Sequence, residues 1–211
     1  LFNYAIFEEL GSAPPTMEAA RAVDALSLMK DYIQTMSDAV SAYTQSILRG
    51  TETWVALPRE RWPKEWEGKF TNPVVQMDLA LYGHPDSGGY WEAHCETQIK
   101  ACGFEPVPEW RSVFWHKVHR ALLAVYVDDF KLAAPKSITM NIWDELGKRI
   151  QLEAPFGPDR FLGCYAREFE CLVSVLSRYL EQSPFYHPRV GEAQEFALPR
   201  PNTRVRGYMY D

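Results

Sequence analysis

The sequence predicts an α+β fold, with helices packed on one face of a largely antiparallel sheet. Three observations carry this expectation. A capped helical pattern follows Pro14-Pro15, and a second one follows Gly88-Gly89. Between and beyond them, short apolar and β-branched runs are separated by turn residues, one of them entering Asp128-Asp129 and resuming after it.

Taken in order, Thr16 is placed to cap a helix, with Glu18 in its first turn and the pattern running to about Lys30. Tyr32 to Met36 reads as a short strand leading into Ser37-Asp38, and Trp54 to Leu57 as a second, stopped by Pro58. Residues 58–73 are rich in Pro, Arg, Trp, Lys and Glu and read as a surface excursion. Tyr90, Trp91, His94, Cys95, Ile99 and Cys102 recur at helical spacing, and Gly103 stands where a C-terminal cap belongs. Val113 to Val127 reads as one strand, and Phe130 to Ala133 as its hairpin partner across Asp128-Asp129. Ser137 is expected to cap a helix bearing Ile138, Ile142, Leu146 and Ile150 on one face. Phe161 to Tyr165 reads as a strand and residues 171–182 as a helix. This gives one domain over residues 1–182 and an irregular connecting tail over 183–211, rich in Pro and Arg.

Composition narrows the function classes. At 46% hydrophobic and 14% aromatic residues the chain can bury a core, which excludes a disordered protein. Its longest apolar run, Ala121 to Val127, is far short of the ~20 residues of a membrane helix, so no membrane partner is expected. Leu1-Phe2-Asn3-Tyr4 has neither a basic region nor an initiator Met, as expected of an intracellular segment cut from a longer polyprotein. Cys95, Cys102, Cys164 and Cys171 form no C-x-x-C pair, so reduced and mostly buried thiols are expected. His94, Cys95, His116 and His119 match no zinc spacing. A net charge of −6 argues against a simple nucleic-acid binder but leaves room for local basic patches.

The chemistry centres on carboxylates. An Asp-Asp pair is first of all a turn signal, because its side chains bond nearby backbone. Adjacent carboxylates at the end of an apolar hairpin also repel each other, and a divalent cation relieves that repulsion. Mg²⁺ takes one or two protein carboxylates plus waters and substrate phosphates. Asp38, at the end of another strand, is the candidate third carboxylate of a two-metal phosphoryl-transfer site.

At this point the pattern resembles a known family. Asp38 followed five positions later by Tyr43 resembles motif A of reverse transcriptases, and Tyr126-Val127-Asp128-Asp129 resembles their motif C. Ala80-Leu81-Tyr82-Gly83 with Trp91 resembles motif B of the copia-type retrotransposon branch. Trp54 to Pro58, Gly103-Phe104 and Phe161-Leu162-Gly163 resemble further landmarks of that branch, in the same order, across about residues 10–180.

The resemblance implies a polymerase palm with partial fingers, acting as an RNA-directed DNA polymerase. It implies Asp38, Asp128 and Asp129 as catalytic ligands of two Mg²⁺ ions, with Mn²⁺ as a substitute. It implies Tyr43 as a steric gate against the ribose 2′-OH, with Tyr126 beside the substrate. Lys148, in the helix region after motif C where such polymerases often carry a Lys, would protonate pyrophosphate, although Gly147-Lys148-Arg149 also suits a solvated helix end. Partners would be an RNA or DNA template with its primer, deoxynucleoside triphosphates, and the RNase H and integrase portions of a Pol polyprotein. The setting would be a cytoplasmic virus-like particle or the nucleus. Arg59, Arg61, Lys64 and Lys69, interleaved with Trp62, Trp66 and Phe70, could contact template or primer, and they serve equally as a solvated loop.

Two departures stand out. His84-Pro85-Asp86-Ser87-Gly88 replaces the family's Lys-Gln-small-Pro, setting Asp86 where a nucleotide-contacting Gln is expected. The basic fingers segment that precedes the first helix in that family is missing from these residues. They keep open a second reading, a truncated or decayed palm that binds nucleic acid or another partner without polymerising.

Overall fold

The computed structural model describes residues 14–172 and 203–210. Helix α1 spans Met17–Ser27. Thr16 caps it as the sequence predicts, its Oγ1 accepting the Ala19 N–H at 3.2 Å. The helix stops short of Lys30, and Asp31, at φ +66°, turns the chain into strand β1, Tyr32–Asp38.

The main sheet has five strands in the order β1-β7-β6-β5-β4, every pair antiparallel. They are β4 (Glu105–Pro106), β5 (Val113–His116), β6 (Ala121–Tyr126) and β7 (Asp129–Pro135), with β1 at the edge. Val113 to Val127 is therefore two strands, because Arg120, at φ +51°, reverses the chain between β5 and β6. The expected hairpin is present, but its turn is Val127-Asp128 rather than Asp128-Asp129, for Asp129 already pairs with Tyr126.

Helices α2 (Ser87–Ala101) and α3 (Thr139–Gly147) complete the domain. The three helices do not share one face of the sheet. Side chains alternate along a strand, so β6 splits its apolar residues between two cores. Leu123 and Val125, with Phe130 and Leu132 of β7, pack against Trp91, Cys95 and Ile99 of α2 and Ile142 and Leu146 of α3. Leu122 and Ala124, with Met36 and Ala133, pack against Ala19, Ala20 and Val23 of α1. A sheet covered on both sides explains why β6 is a nearly unbroken apolar run rather than an alternating one. Each large side chain buried there contributes roughly 1.5–3 kcal/mol.

Several expected boundaries move. α2 begins at Ser87 and runs through Gly88-Gly89. It ends as expected at Gly103, whose φ of +89° suits glycine and where a Cβ would stand 2.8 Å from His116 Nε2. Ser137 does not cap α3, for Ile138 occupies the cap position and makes no side-chain cap bond. Phe161 to Tyr165 is a hairpin rather than one strand. Leu162 and Gly163, at φ +50° and +82°, turn β8 (Arg160–Phe161) into β9 (Cys164–Leu172). Cys171 and Leu172 thus lie in a strand, and residues 173–182 of the expected helix fall outside the described residues. Within the tail expected to be irregular, Arg204–Tyr210 form strand β10, antiparallel to β9. Of the cysteines only Cys95 is buried, the other three being half-exposed.

β10 also reaches α1. Tyr210 donates its hydroxyl to Asp24 Oδ2 at 2.6 Å, and Asp24 Oδ1 pairs with Lys131 of β7 at 2.6 Å. The Lys131 and Asp24 side chains are almost wholly buried. Strands β2 (Trp54–Ala56) and β3 (Val74–Gln76) make a separate two-stranded ribbon, and most residues of the loop between them are exposed, as the surface excursion requires.

Candidate active site

Pairing register decides where the carboxylates meet. Asp38, the last residue of β1, lies opposite Asp129, the first of β7. Cα atoms of directly opposed antiparallel residues are about 4.5–5.5 Å apart. Asp128 sits in the turn from β6 into β7, and its carbonyl accepts the Ala39 N–H at 2.8 Å. Three carboxyl groups from distant parts of the sequence therefore share one end of the sheet. Met36 and Lys131 face α1, so the side-chain alternation of β1 and β7 brings Asp38 and Asp129 out on that same face.

The turn itself is strained and braced. Val127 has φ +54°, a conformation that costs a β-branched residue roughly 1–2 kcal/mol. The indole of Trp91, fully buried in α2, donates Nε1–H to the Val127 carbonyl at 2.6 Å. Strain of this kind persists only where the surroundings over-determine it, and it gathers at functional sites.

Electrostatics matches the geometry. Burial pushes the Asp129 carboxyl up to about 6, with the charges of Asp128 and Asp38 adding to it and Arg160 opposing. Asp38 is also raised, first by burial, then by Glu153, Asp128 and Asp159. Glu153 and Asp159 are neighbours that sequence spacing did not reveal. Glu153 comes close because its backbone N–H bonds the Asp38 carbonyl at 2.8 Å. Nothing in the local sequence signals that pairing, since it is made by backbone.

On the other side of Asp128 stand two tyrosines. Tyr43 lies on a 3-10 turn, Ala42–Gln45, and its ring meets that of Tyr82 with centroids 4.3 Å apart. The Tyr82 hydroxyl is pushed up by burial, then by Asp128 and Tyr43. Tyr126 and Asp129 line an open cleft with Arg160, Leu162 and Gly163. Arg160 is the cation sequence reading overlooked, for its place on the short strand before Phe161 gives no hint of its nearness to Asp129.

Other expected residues lie elsewhere. Lys148 is exposed and bonded to Glu145 Oε1 at 2.5 Å, and that partner raises its pKa. A raised pKa makes it a poorer proton donor at neutral pH. Arg59, Arg61, Lys64 and Lys69 all sit on the exposed loop between β2 and β3. Arg59 stacks on Trp62 at 5.5 Å, while the Trp62 Nε1–H is spent on the Leu57 carbonyl at 2.8 Å. Asp86 is buried at the start of α2. His116 is buried against Phe104 and stacks with His119 at 4.2 Å.

Among the described residues no three His, Cys, Asp or Glu side chains form a ready-made cage for a metal ion. Asp38, Asp128 and Asp129 carry like charges near enough to raise Asp38 and Asp129, and carboxylate oxygen is the ligand type a hard cation takes. No helix among the described residues is long and apolar enough to cross a membrane. No family model, curated protein or solved structure matches the chain.

Proposed function

We propose that the chain is the palm, with partial fingers, of an RNA-directed DNA polymerase of the copia-type retrotransposon branch. One observation carries the reading: the β1–β7 register sets Asp38 against Asp129, with Asp128 beside them in the β6–β7 turn. An Asp-Asp pair serving only as a turn has no need of a third carboxylate from another strand.

In this reading Asp38 and Asp128, helped by Asp129, hold two Mg²⁺ ions, or Mn²⁺ in their place. The ions supply Lewis acidity and charge neutralisation around the primer 3′-OH and the leaving pyrophosphate. Tyr43, whose ring lies against that of Tyr82, would be the gate against a ribose 2′-OH. Tyr126 and Arg160 line the cleft in which a primer end would lie beside Asp129. Template choice comes from base pairing, and the substrates are deoxynucleoside triphosphates. The RNase H and integrase portions of a Pol polyprotein would be its partners, in a cytoplasmic virus-like particle or the nucleus. Lys148 has no role in this scheme, and the basic residues of the β2–β3 loop are kept as outlying nucleic-acid contacts.

The buried Asp86 bears on the second reading, a palm that no longer polymerises. An exposed anion in motif B would have opposed a triphosphate. Asp86 instead lies buried at the positive end of α2, where a helix favours a carboxylate, but it makes no capping bond and its Oδ1 meets no hydrogen-bond partner among the described residues. Primer extension on an RNA template with Mg²⁺ decides between the two. The wild type is expected to extend, and Asp128→Asn to lose extension by at least about a hundredfold. Equal absence of product from both would leave only the non-polymerising reading.

A further inference from the structure

The 3-10 turn carrying Tyr43 ends at Gln45, and the side chain of Gln45 is fully engaged. Its Nε2 donates to the Val40 carbonyl at 2.7 Å and to the Gln151 carbonyl at 3.0 Å. Its Oε1 accepts the Gln151 N–H at 2.8 Å. One amide thus takes both backbone groups of a residue 106 positions away.

The segment it grips is the one that borders β1. Val40 N–H bonds the Gln151 carbonyl at 2.9 Å, and Glu153 N–H bonds the Asp38 carbonyl at 2.8 Å. Ser37 Oγ donates to the Glu153 carbonyl at 2.9 Å. The strand that ends in Asp38 and the turn that bears Tyr43 are therefore both fastened to residues 151–153. The turn opens from Ser41 in a left-handed conformation, φ +48°, so it has a local incentive to relax when its fastening is lost.

We infer that Gln45 is a positioning residue for nucleotide choice: its amide clamp sets the Tyr43 ring relative to Asp38, and hence sets the discrimination between deoxyribo- and ribonucleoside triphosphates. This rests on the polymerase reading above. Excluding a single hydroxyl by contact with a ring edge tolerates little displacement. The clamp supplies that precision from a side chain that touches neither substrate nor metal.

The test uses the full chain and measures kcat and KM for a deoxynucleoside and the matching ribonucleoside triphosphate. Gln45→Met keeps the side-chain length but removes all three bonds. Gln45→Glu keeps an acceptor for the Gln151 N–H and sets a carboxylate against two carbonyls, so it serves if the Met variant does not fold. Either is expected to lower the deoxy-over-ribo ratio of kcat/KM about tenfold, chiefly through a lower KM for the ribonucleotide. kcat for the deoxynucleotide should stay within about threefold. In a Tyr43→Ala background the same change at Gln45 should leave the ratio where Tyr43→Ala has put it.

A merely structural role would lower kcat for both sugars and leave the ratio unmoved, which would overturn the inference. A further fall of the ratio without the Tyr43 ring would also overturn it. Absence of extension by the wild type would defeat the polymerase reading and this one with it. A wild type that extends, with an unchanged ratio in the Gln45 variants, would defeat this one alone.

Discussion

Replacing Trp91 by Phe isolates the brace that holds the Asp128 turn. The indole Nε1–H is the donor to the Val127 carbonyl at 2.6 Å, and the side chain is fully buried. Removing one partner of such a bond costs roughly 1–3 kcal/mol. The smaller ring adds a packing loss of about 1 kcal/mol. The sum, about 3 kcal/mol, corresponds to a fall of roughly 6–12 °C in melting temperature for a chain of this size. Val127 is held against a conformational cost of its own, so the unbraced turn is expected to relax and shift Asp128. A displacement of about 1 Å in a catalytic group can cost on the order of a hundredfold in rate. Thermal stability should therefore fall, and on the polymerase reading proposed above primer extension, measured on the same preparation, should fall much more steeply. If Trp91→Phe melts several degrees lower but extends at the wild-type rate, the turn does not depend on the indole. If it melts within about 1 °C of the wild type, the bond offsets nothing and the argument from strain fails.

Two further outcomes follow from the buried charges. Asp129 has a folded-state pKa of about 6, above its ordinary value, so the folded chain binds that proton more tightly than the unfolded chain does. Its contribution favours folding at acid pH and is lost as pH rises through about 6. Asp129→Asn should therefore raise the melting temperature at pH 7.5 and flatten its dependence between about pH 4 and 6. A melting curve that keeps the wild-type slope would contradict this. Lys131→Met strands Asp24 in the interior and should cost about 3–5 kcal/mol by urea unfolding, whereas Lys131→Met with Asp24→Leu should recover most of it. A double variant as weak as the single one would show that shape at that position matters more than charge.

The carboxylate site was legible because each part leaves a local mark. An apolar run entering and leaving Asp128-Asp129 reads as a hairpin, and Asp38 closes another apolar run with an aromatic five positions on. What brings them together, the pairing of β1 with β7, is a long-range choice that periodicity does not reveal. Misreadings arose where non-glycine residues make turns. Arg120 adopts a left-handed conformation without any Gly, Asn, Asp or Pro beside it to announce it, and Leu162 does so before a single Gly163 that reads equally as part of a strand. β10 was hidden because its partner, β9, lies far upstream and a Pro- and Arg-rich neighbourhood suggests irregular chain. The placement of α1 opposite α2 and α3 was invisible because a doubly covered strand such as β6 carries no alternation to divide its faces. The approach of Glu153 to Asp38 and the Gln45 clamp are made through backbone groups, which every residue possesses.

The segment that follows α3 has one more effect. Met36 and Phe156 exchange both backbone bonds, at 2.9 and 2.8 Å, and residues 151–153 carry the contact on past Asp38. The outer rim of β1 is thereby occupied along its acidic end. At the opposite rim β4 is only two residues long, and one of them, Pro106, has no N–H to offer. Among the described residues the five-stranded sheet thus presents no long unsatisfied margin on which a stray strand could template itself. A second copy of this chain would find no long margin on this sheet to extend, which leaves the hydrogen-bonding ladder that carries Asp38 and Asp129 undisturbed.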